Sequence, residues 1–155
     1  MSRFRCLPID PVVAERFRAT GHDHAGNALR RMAADHPSPC RVCLRDALPG
    51  EPVLLGSYDL PRPRGIYWTP SPIFVHTTPC APFDEPDTIA PILRGRMISV
   101  RAYDAADQCV YDLGFAGNGD AIEAPLARAL DDRRTAFVNV HTAKPGCLLC
   151  RVERG

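Results

Sequence analysis

Lysine is almost missing from this chain. Lys144 is the only one among 19 lysines and arginines, which reads as codon bias rather than arginine-specific recognition. An excess of one charge is missing too. The 19 basic residues meet 18 acidic ones for a net charge of +1, so no bulk attraction to nucleic acid or to a membrane surface is expected. No apolar run approaches the roughly 18 residues of a membrane span. The opening stretch, MSRFRCLPIDPVVAERF, holds no apolar segment long enough for a signal-peptide core. A cytoplasmic address is therefore the expectation. The chain has no GxGxxG and no GxxxxGKS/T phosphate loop. It also lacks HExxH and GxSxG. Carboxylate pairs such as Asp84-Glu85 and Asp131-Asp132 read as solvated charges.

What is present is an ordinary globular composition, 45% hydrophobic and 24% charged over 155 residues. That length suits one domain spanning residues 1–155 and buries about two-thirds of the unfolded surface. Seven cysteines stand out. An odd count in a reducing compartment argues against a disulfide framework and leaves three uses: buried hydrophobe, metal ligand or nucleophile.

Along the chain, Arg3 to Pro8 reads as a strand. Asp10 before Pro11 starts a helix, with the carboxylate as cap and proline at the first helical position. Val13, Ala14 and Phe17 share its inner face, and Gly21 ends it. A second helix is expected from about Asp23 to Ala34, because Ala25, Ala28, Leu29, Met32 and Ala33 follow helical spacing. Pro37 and Pro39 stop it. Cys40 to Leu44 reads as a short extended run, and Pro49-Gly50 as a turn. Pro52 to Tyr58 and Ile73 to His76 are strands, separated by a proline-rich loop from Leu60 to Pro72. Thr77 to Pro91 is irregular, with a turn of helix near Thr88 to Leu93. Arg96 to Asp104 alternates as a strand, turns at Asp104 to Asp107 and returns through Cys109 to Phe115. Gly117-Asn118-Gly119 is a break. Asp120 caps a helix reaching Leu130, with Ile122, Leu126 and Leu130 stacked. Thr135 to Thr142 and Cys147 to Glu153 form a final hairpin. The expectation is an α+β fold: a mostly antiparallel sheet of six or seven strands, free to curl, with about three helices gathered mainly at the N-terminus.

The cysteines fall into two Cys-x-x-Cys pairs, Cys40 with Cys43 and Cys147 with Cys150. A metal knuckle needs both sulfurs on one side of a tight turn. A redox pair needs the first cysteine at a helix N-terminus. A strand sends residues three apart to opposite faces and allows neither. Pro49-Gly50 leaves no room for a helix after Cys43, which argues against redox, and no glycine follows Cys43 to ease a knuckle. Pro39 nevertheless puts Cys40 at a loop edge where the backbone can bend. Cys147, after Pro145-Gly146, is the more available sulfur of its pair. Cys150 reads as core, sharing a face with Leu148 and Val152, and Cys6 and Cys109 read as packing. His76 and Cys80 leave a strand end four residues apart, and His141 nears the turn before Cys147. His22, His24 and His36 read as exposed.

The segments CRVCLRDALPGEPVLL, SPIFVHTTPC, VRAYDA and GCLLCRVER resemble a bacterial family of unknown function, domain-of-unknown-function family twelve hundred and three. The likeness runs from about Pro39 to Arg154 and rests on Cys40, Leu44, Gly50, Glu51, Pro72, Ile73, Phe74, Tyr103, Asp104, Gly146 and Cys147. His76, Cys80 and Cys43 fit some forms of the family, and other forms differ at the place of Cys43. The resemblance implies a small, stand-alone, cytoplasmic bacterial domain and no particular activity.

Three functions compete on these residues. The first is a metal-binding domain, with zinc as the cofactor and Cys40, Cys43, His76, Cys80 and Cys147 as ligands. The second is a cysteine enzyme with Cys147 as nucleophile, His141 as base and Asn139 as orienter. A four-residue turn works against it, because it sets His141 opposite Leu148 and sends Cys147 to the other face. The third is a metal-free binding module, in which Tyr67, Trp68, Arg62 and Arg64 of the Leu60–Pro72 loop meet a protein or a small anion.

Overall fold

The computed structural model describes residues 2–155. Strand β1 (Phe4–Leu7) leads into helix α1 (Pro11–Thr20). The Asp10 carboxylate caps α1 by accepting from the Val12 N–H, and Gly21 closes it in the left-handed region at φ 68°. Then come β2 (Arg30–Ala33), β3 (Ser38–Pro39), β4 (Asp46–Ala47), β5 (Pro52–Asp59) and β6 (Pro70–His76). The second half holds β7 (Met97–Tyr103), β8 (Phe115–Asn118), α2 (Glu123–Asp131), β9 (Phe137–Thr142) and β10 (Leu148–Arg154).

The α+β class and the antiparallel pairing hold, but the single sheet does not. The ten strands form three sheets: five strands in the order β1-β10-β9-β7-β8, three in the order β2-β5-β6, and the pair β3-β4. Each large sheet has its own helix. Ile122, Leu126, Ala129 and Leu130 of α2 pack on Ile98, Val100, Val138 and Val140 of the five-stranded sheet. Ala14 and Phe17 of α1 pack with Leu54, Ile73 and Val75 of the three-stranded one. Two apolar faces served by two helices make two main cores, beside a third small cluster of Ala34, Ala47 and Val53, which one continuous sheet would not.

The described residues hold two α-helices, one in each half of the chain, rather than about three gathered mainly at the N-terminus. The helix expected over Asp23–Ala34 is absent. The Asp23 carboxylate accepts from the N–H of Asn27, from its side-chain amide and from Ser57 N–H, and Gly26 sits at φ +86°. These side-chain bonds favour a turn over helix. The residues after it pair as β2 along β5, Arg30 opposite Leu55 and Ala33 opposite Pro52. Asp120 does not cap α2. It lies in a 3-10 turn at Gly119–Ala121, its carboxylate accepts from Gly95 N–H, and α2 begins at Glu123. The return after β7 starts as expected, with Cys109 bridging Tyr103 antiparallel; a 3-10 turn at Tyr111–Leu113 then interrupts it, and regular pairing resumes at Phe115, opposite Val100. The expected break at Gly117-Asn118 is the end of β8.

In the final hairpin Leu148 stands opposite His141, as the turn length predicts. A bulge follows, so Cys150 opposes Val140 and Val152 opposes Val138. Leu148 therefore does not share the face of Cys150 and Val152, because the extra residue reverses the alternation. No helix among the described residues is long and apolar enough to cross a membrane.

Candidate metal centre

Residues Cys40 to Leu44 do not run extended. Strands β3 and β4 pair Ser38 with Ala47 and Pro39 with Asp46, and the cysteine pair lies in the loop between them. Cys40 N–H donates to Arg45 O at 3.1 Å, and Leu44 N–H donates to Cys40 O at 3.0 Å. The residue in the left-handed conformation is Leu44, at φ 53°. Glycine is the usual occupant of such a position. Here a strain of about 1 kcal/mol is offset by complete burial of the leucine side chain in the larger core. The turn brings the two thiols to one side, the arrangement a strand forbids.

Strand β6 delivers the next ligand. Cys40 bridges Phe74 in parallel and Arg41 N–H donates to Phe74 O, so the turn lies beside the end of β6, where His76 sits. Phe83 N–H donates to Val42 O and draws the following loop, with Cys80, back over the turn. Three segments thus converge. The ligand atoms of Cys40, Cys43, His76 and Cys80 all lie within 4.8 Å of one another. Cys40 Sγ is 3.7 Å from Cys80 Sγ, and Cys43 Sγ is 3.7 Å from His76 Nδ1. Cys40 is buried and the other three are partly so, at the margin of the α1 core.

The surroundings prepare these groups. Glu51 Oε2 lies 3.2 Å from His76 Nε2 and also accepts from Leu48 N–H in the turn at Pro49-Gly50. That carboxylate holds the ring proton on Nε2 and leaves Nδ1 as a donor of its lone pair toward the sulfurs. Arg18 of α1 donates through Nε and Nη2 to His76 O, fixing the strand end. The hydrogen bond with Cys43, then contact with nearby backbone, pulls the Cys40 thiol down to about 4 against the cost of burial. The same bond, then burial, pushes Cys43 up, while burial and then the charge of Cys40 push Cys80 up. One thiolate forms readily. Further ionisation needs a cation among the sulfurs.

Arg41, between the two cysteines, is fully buried. Its guanidinium donates to Leu148 O at 2.6 Å and to Pro39 O at 2.5 Å, both neutral carbonyls. Burial pulls it down to about 10, against which the nearby thiols of Cys147 and Cys40 act. Among the described residues no carboxylate pairs with it. Neither Arg41 nor the Glu51–His76 contact is visible in residue spacing; an arginine within a Cys-x-x-Cys is read by default as exposed.

Cys147 lies outside the four-residue group. Its N–H donates to Thr142 Oγ1, and its thiol is half-buried within electrostatic reach of Arg41. His141 is buried, and its Nδ1–H donates to Gly146 O at 2.8 Å. The Asn139 amide donates to Arg62 O at 3.0 Å. Among the described residues neither His141 nor Asn139 is hydrogen-bonded to the Cys147 thiol. In the proline loop, Trp68 donates its indole N–H to Leu60 O, Tyr67 meets Tyr103 and Tyr111 edge-on, and Arg62 pairs with Asp107. Arg64 donates its backbone N–H to the same aspartate. All seven cysteines are free thiols.

Fold and site together define a class: an α+β protein of paired antiparallel sheets, with a three-thiol, one-imidazole cluster that could hold a metal ion. Residues 37–154 match the family described as "Protein of unknown function (DUF1203)", and the chain belongs to that family. The match takes in all four cluster residues and leaves out β1, α1 and β2. No curated protein and no solved structure is detectably similar to the chain.

Proposed function

We propose that this protein binds one zinc ion through Cys40, Cys43, His76 and Cys80, as a structural centre in a reducing, cytoplasmic setting. The observation that carries the reading is the sulfur spacing. Tetrahedral zinc with Zn–S bonds of about 2.3 Å sets its sulfurs about 3.8 Å apart, and Cys40 and Cys80 stand at 3.7 Å. Three thiolates and a neutral imidazole around a divalent ion leave one net negative charge, which favours the buried Arg41 cation that Cys40 already influences. Four protein ligands leave no open position for substrate, which favours a structural role over a catalytic one. Cys147 is not part of the proposed ligand set.

The test is metal analysis of protein purified without chelator. About one zinc per chain is expected, falling well below that in Cys40→Ser. Glu51→Gln is expected to keep the fold and lose about ten- to a hundredfold in zinc affinity, measured by competition with a chromogenic chelator. Substoichiometric metal that Cys40→Ser does not alter would remove the proposal.

A further inference from the structure

Cys40 and Cys80 form an unequal pair. Their sulfurs stand 3.7 Å apart, yet the backbone that carries each is very different. The Cys40 turn is pinned: Cys40 N–H donates to Arg45 O, Arg41 N–H to Phe74 O and Leu44 N–H to Cys40 O. The Cys80 segment is held only at its ends. Thr77 N–H donates to Pro52 O and Phe83 N–H to Val42 O, and between them the backbone of residues 78–82 makes no hydrogen bond among the described residues. Pro79 and Pro82 have no N–H to give. Exposure differs in the same sense. Cys40 is fully buried, whereas Cys80 is partly exposed. Cys80 lines an open groove of about 590 Å³, with Ala14 and Arg18 of α1, Val42, Pro79 and Pro82 among its other walls.

One thiol is reachable and movable, and its neighbour is close and fixed. That is the arrangement of a thiol that a small oxidant attacks beside a second thiol that resolves the product. We propose that Cys80 is a site of oxidation by hydrogen peroxide, with Cys40 as the resolving thiol, and that the disulfide they form expels the zinc ion. The inference rests on the zinc reading above. The Cys80 thiolate attacks one peroxide oxygen, the O–O bond breaks, and hydroxide leaves and takes up a proton. The Cys40 thiolate then attacks the Cys80 sulfenic acid. The S–O bond breaks, an S–S bond forms, and the second hydroxide takes up the second proton. Two thiolates, one peroxide and two protons become one disulfide and two waters; the sulfurs lose two electrons and the peroxide gains them. Zinc stays divalent throughout. Disulfide sulfurs are no longer thiolates, so the ion keeps only Cys43 and His76 and leaves. Closing the pair from 3.7 Å to about 2.05 Å falls to residues 78–82, which have no backbone bond to break.

The experiment uses the wild-type protein as purified, its zinc content measured first. Hydrogen peroxide is added in slight excess, released zinc is read with a chromogenic chelator against an untreated control, and disulfides are located by peptide mass after free thiols are blocked. The expected result is about one zinc released per disulfide, with Cys40 joined to Cys80, and recovery of zinc binding after reduction with dithiothreitol and return of the metal. Cys80→His gives the metal a nitrogen ligand and the oxidant no sulfur. It is expected to release zinc about tenfold more slowly or less. Should that variant not hold zinc, the disulfide map of the wild type decides alone. A purified protein without zinc overturns both the metal reading and this inference. Zinc-loaded wild type that keeps its metal under peroxide, or that loses it with Cys40 joined to Cys43 or with no disulfide, overturns this inference and leaves the metal reading intact. Equally fast release from zinc-loaded Cys80→His does the same.

Discussion

Arg41 spans both sheets by itself. Its backbone N–H joins β6 and its guanidinium joins β10 through Leu148 O. A guanidinium presents five N–H groups in a fixed fork, which suits it to tie carbonyls that face different ways. His141, one turn of chain from Cys147, illustrates the cost of burying a titratable ring. Burial, and then the charge of Arg101, pull its imidazole down to about 4, against the bond to Gly146 O. In the unfolded chain the same ring titrates near 6.5. The unfolded state therefore takes up the proton first as the pH falls. The stability attached to neutral His141 is whole above pH 6.5, declines between 6.5 and 4, and is flat below 4. The full drop is roughly 3 kcal/mol. His141→Gln is expected to remove that part of the pH dependence. Urea unfolding of both proteins through this window measures the difference, and parallel curves would show that His141 does not titrate as described.

At the scale of elements, the hairpin of β3 and β4 is short but decisive, because its loop presents two thiols on one side. The connection from β8 into α2 depends on close approach. Gly119 N–H donates to Arg96 O, and a Cβ at Gly119 would lie 1.6 Å from Leu93 O. That oxygen is backbone and cannot rotate away, so Gly119→Ala must displace the 3-10 turn at Pro91–Leu93 and with it Ile92 and Leu93, both fully buried. A loss of about 3 kcal/mol or more is expected. A denaturant midpoint within error of wild type would show that the connection has slack that this close approach does not suggest.

At the scale of the whole molecule, the cross-sheet ties gather on Leu148 of β10. Ser71 Oγ accepts from Leu148 N–H and joins β6 to β10 beside the Arg41 bridge. A metal held by Cys40, Cys43, His76 and Cys80 would link the β3–β4 loop, the end of β6 and the loop after it. Those segments pack through Val42 and Val75 in the smaller core and reach the larger one only through Leu44 and Phe83, whereas β7, β9 and α2 form the body of that larger core. Chelation is therefore expected to lower the melting temperature by roughly 10 °C. Hydrogen exchange should speed up over residues 38–47 and 76–83 and stay slow in β7 and β9. Uniform acceleration through both sheets would mean that the centre supports the whole molecule rather than its smaller half.

The residues alone specified much of this protein. Proline, glycine and the alternation of apolar residues marked α1, β5, β7, β9 and β10, and the turn length set His141 opposite Leu148. These features are local: a cap, a period of two, a turn of known size. The donors that meet at the cluster were all visible as residue types, and the His76-x-x-x-Cys80 spacing pointed to two of them. Only the tertiary structure decided which sulfurs meet and that Cys147 lies apart from them, because that depends on contacts between distant strands. The same holds for the turn at Cys40–Leu44, whose left-handed leucine is stable only because a remote core receives its side chain. It holds again for residues 23–34, where helical spacing yielded to the open edge of β5, a partner that no local pattern can reveal.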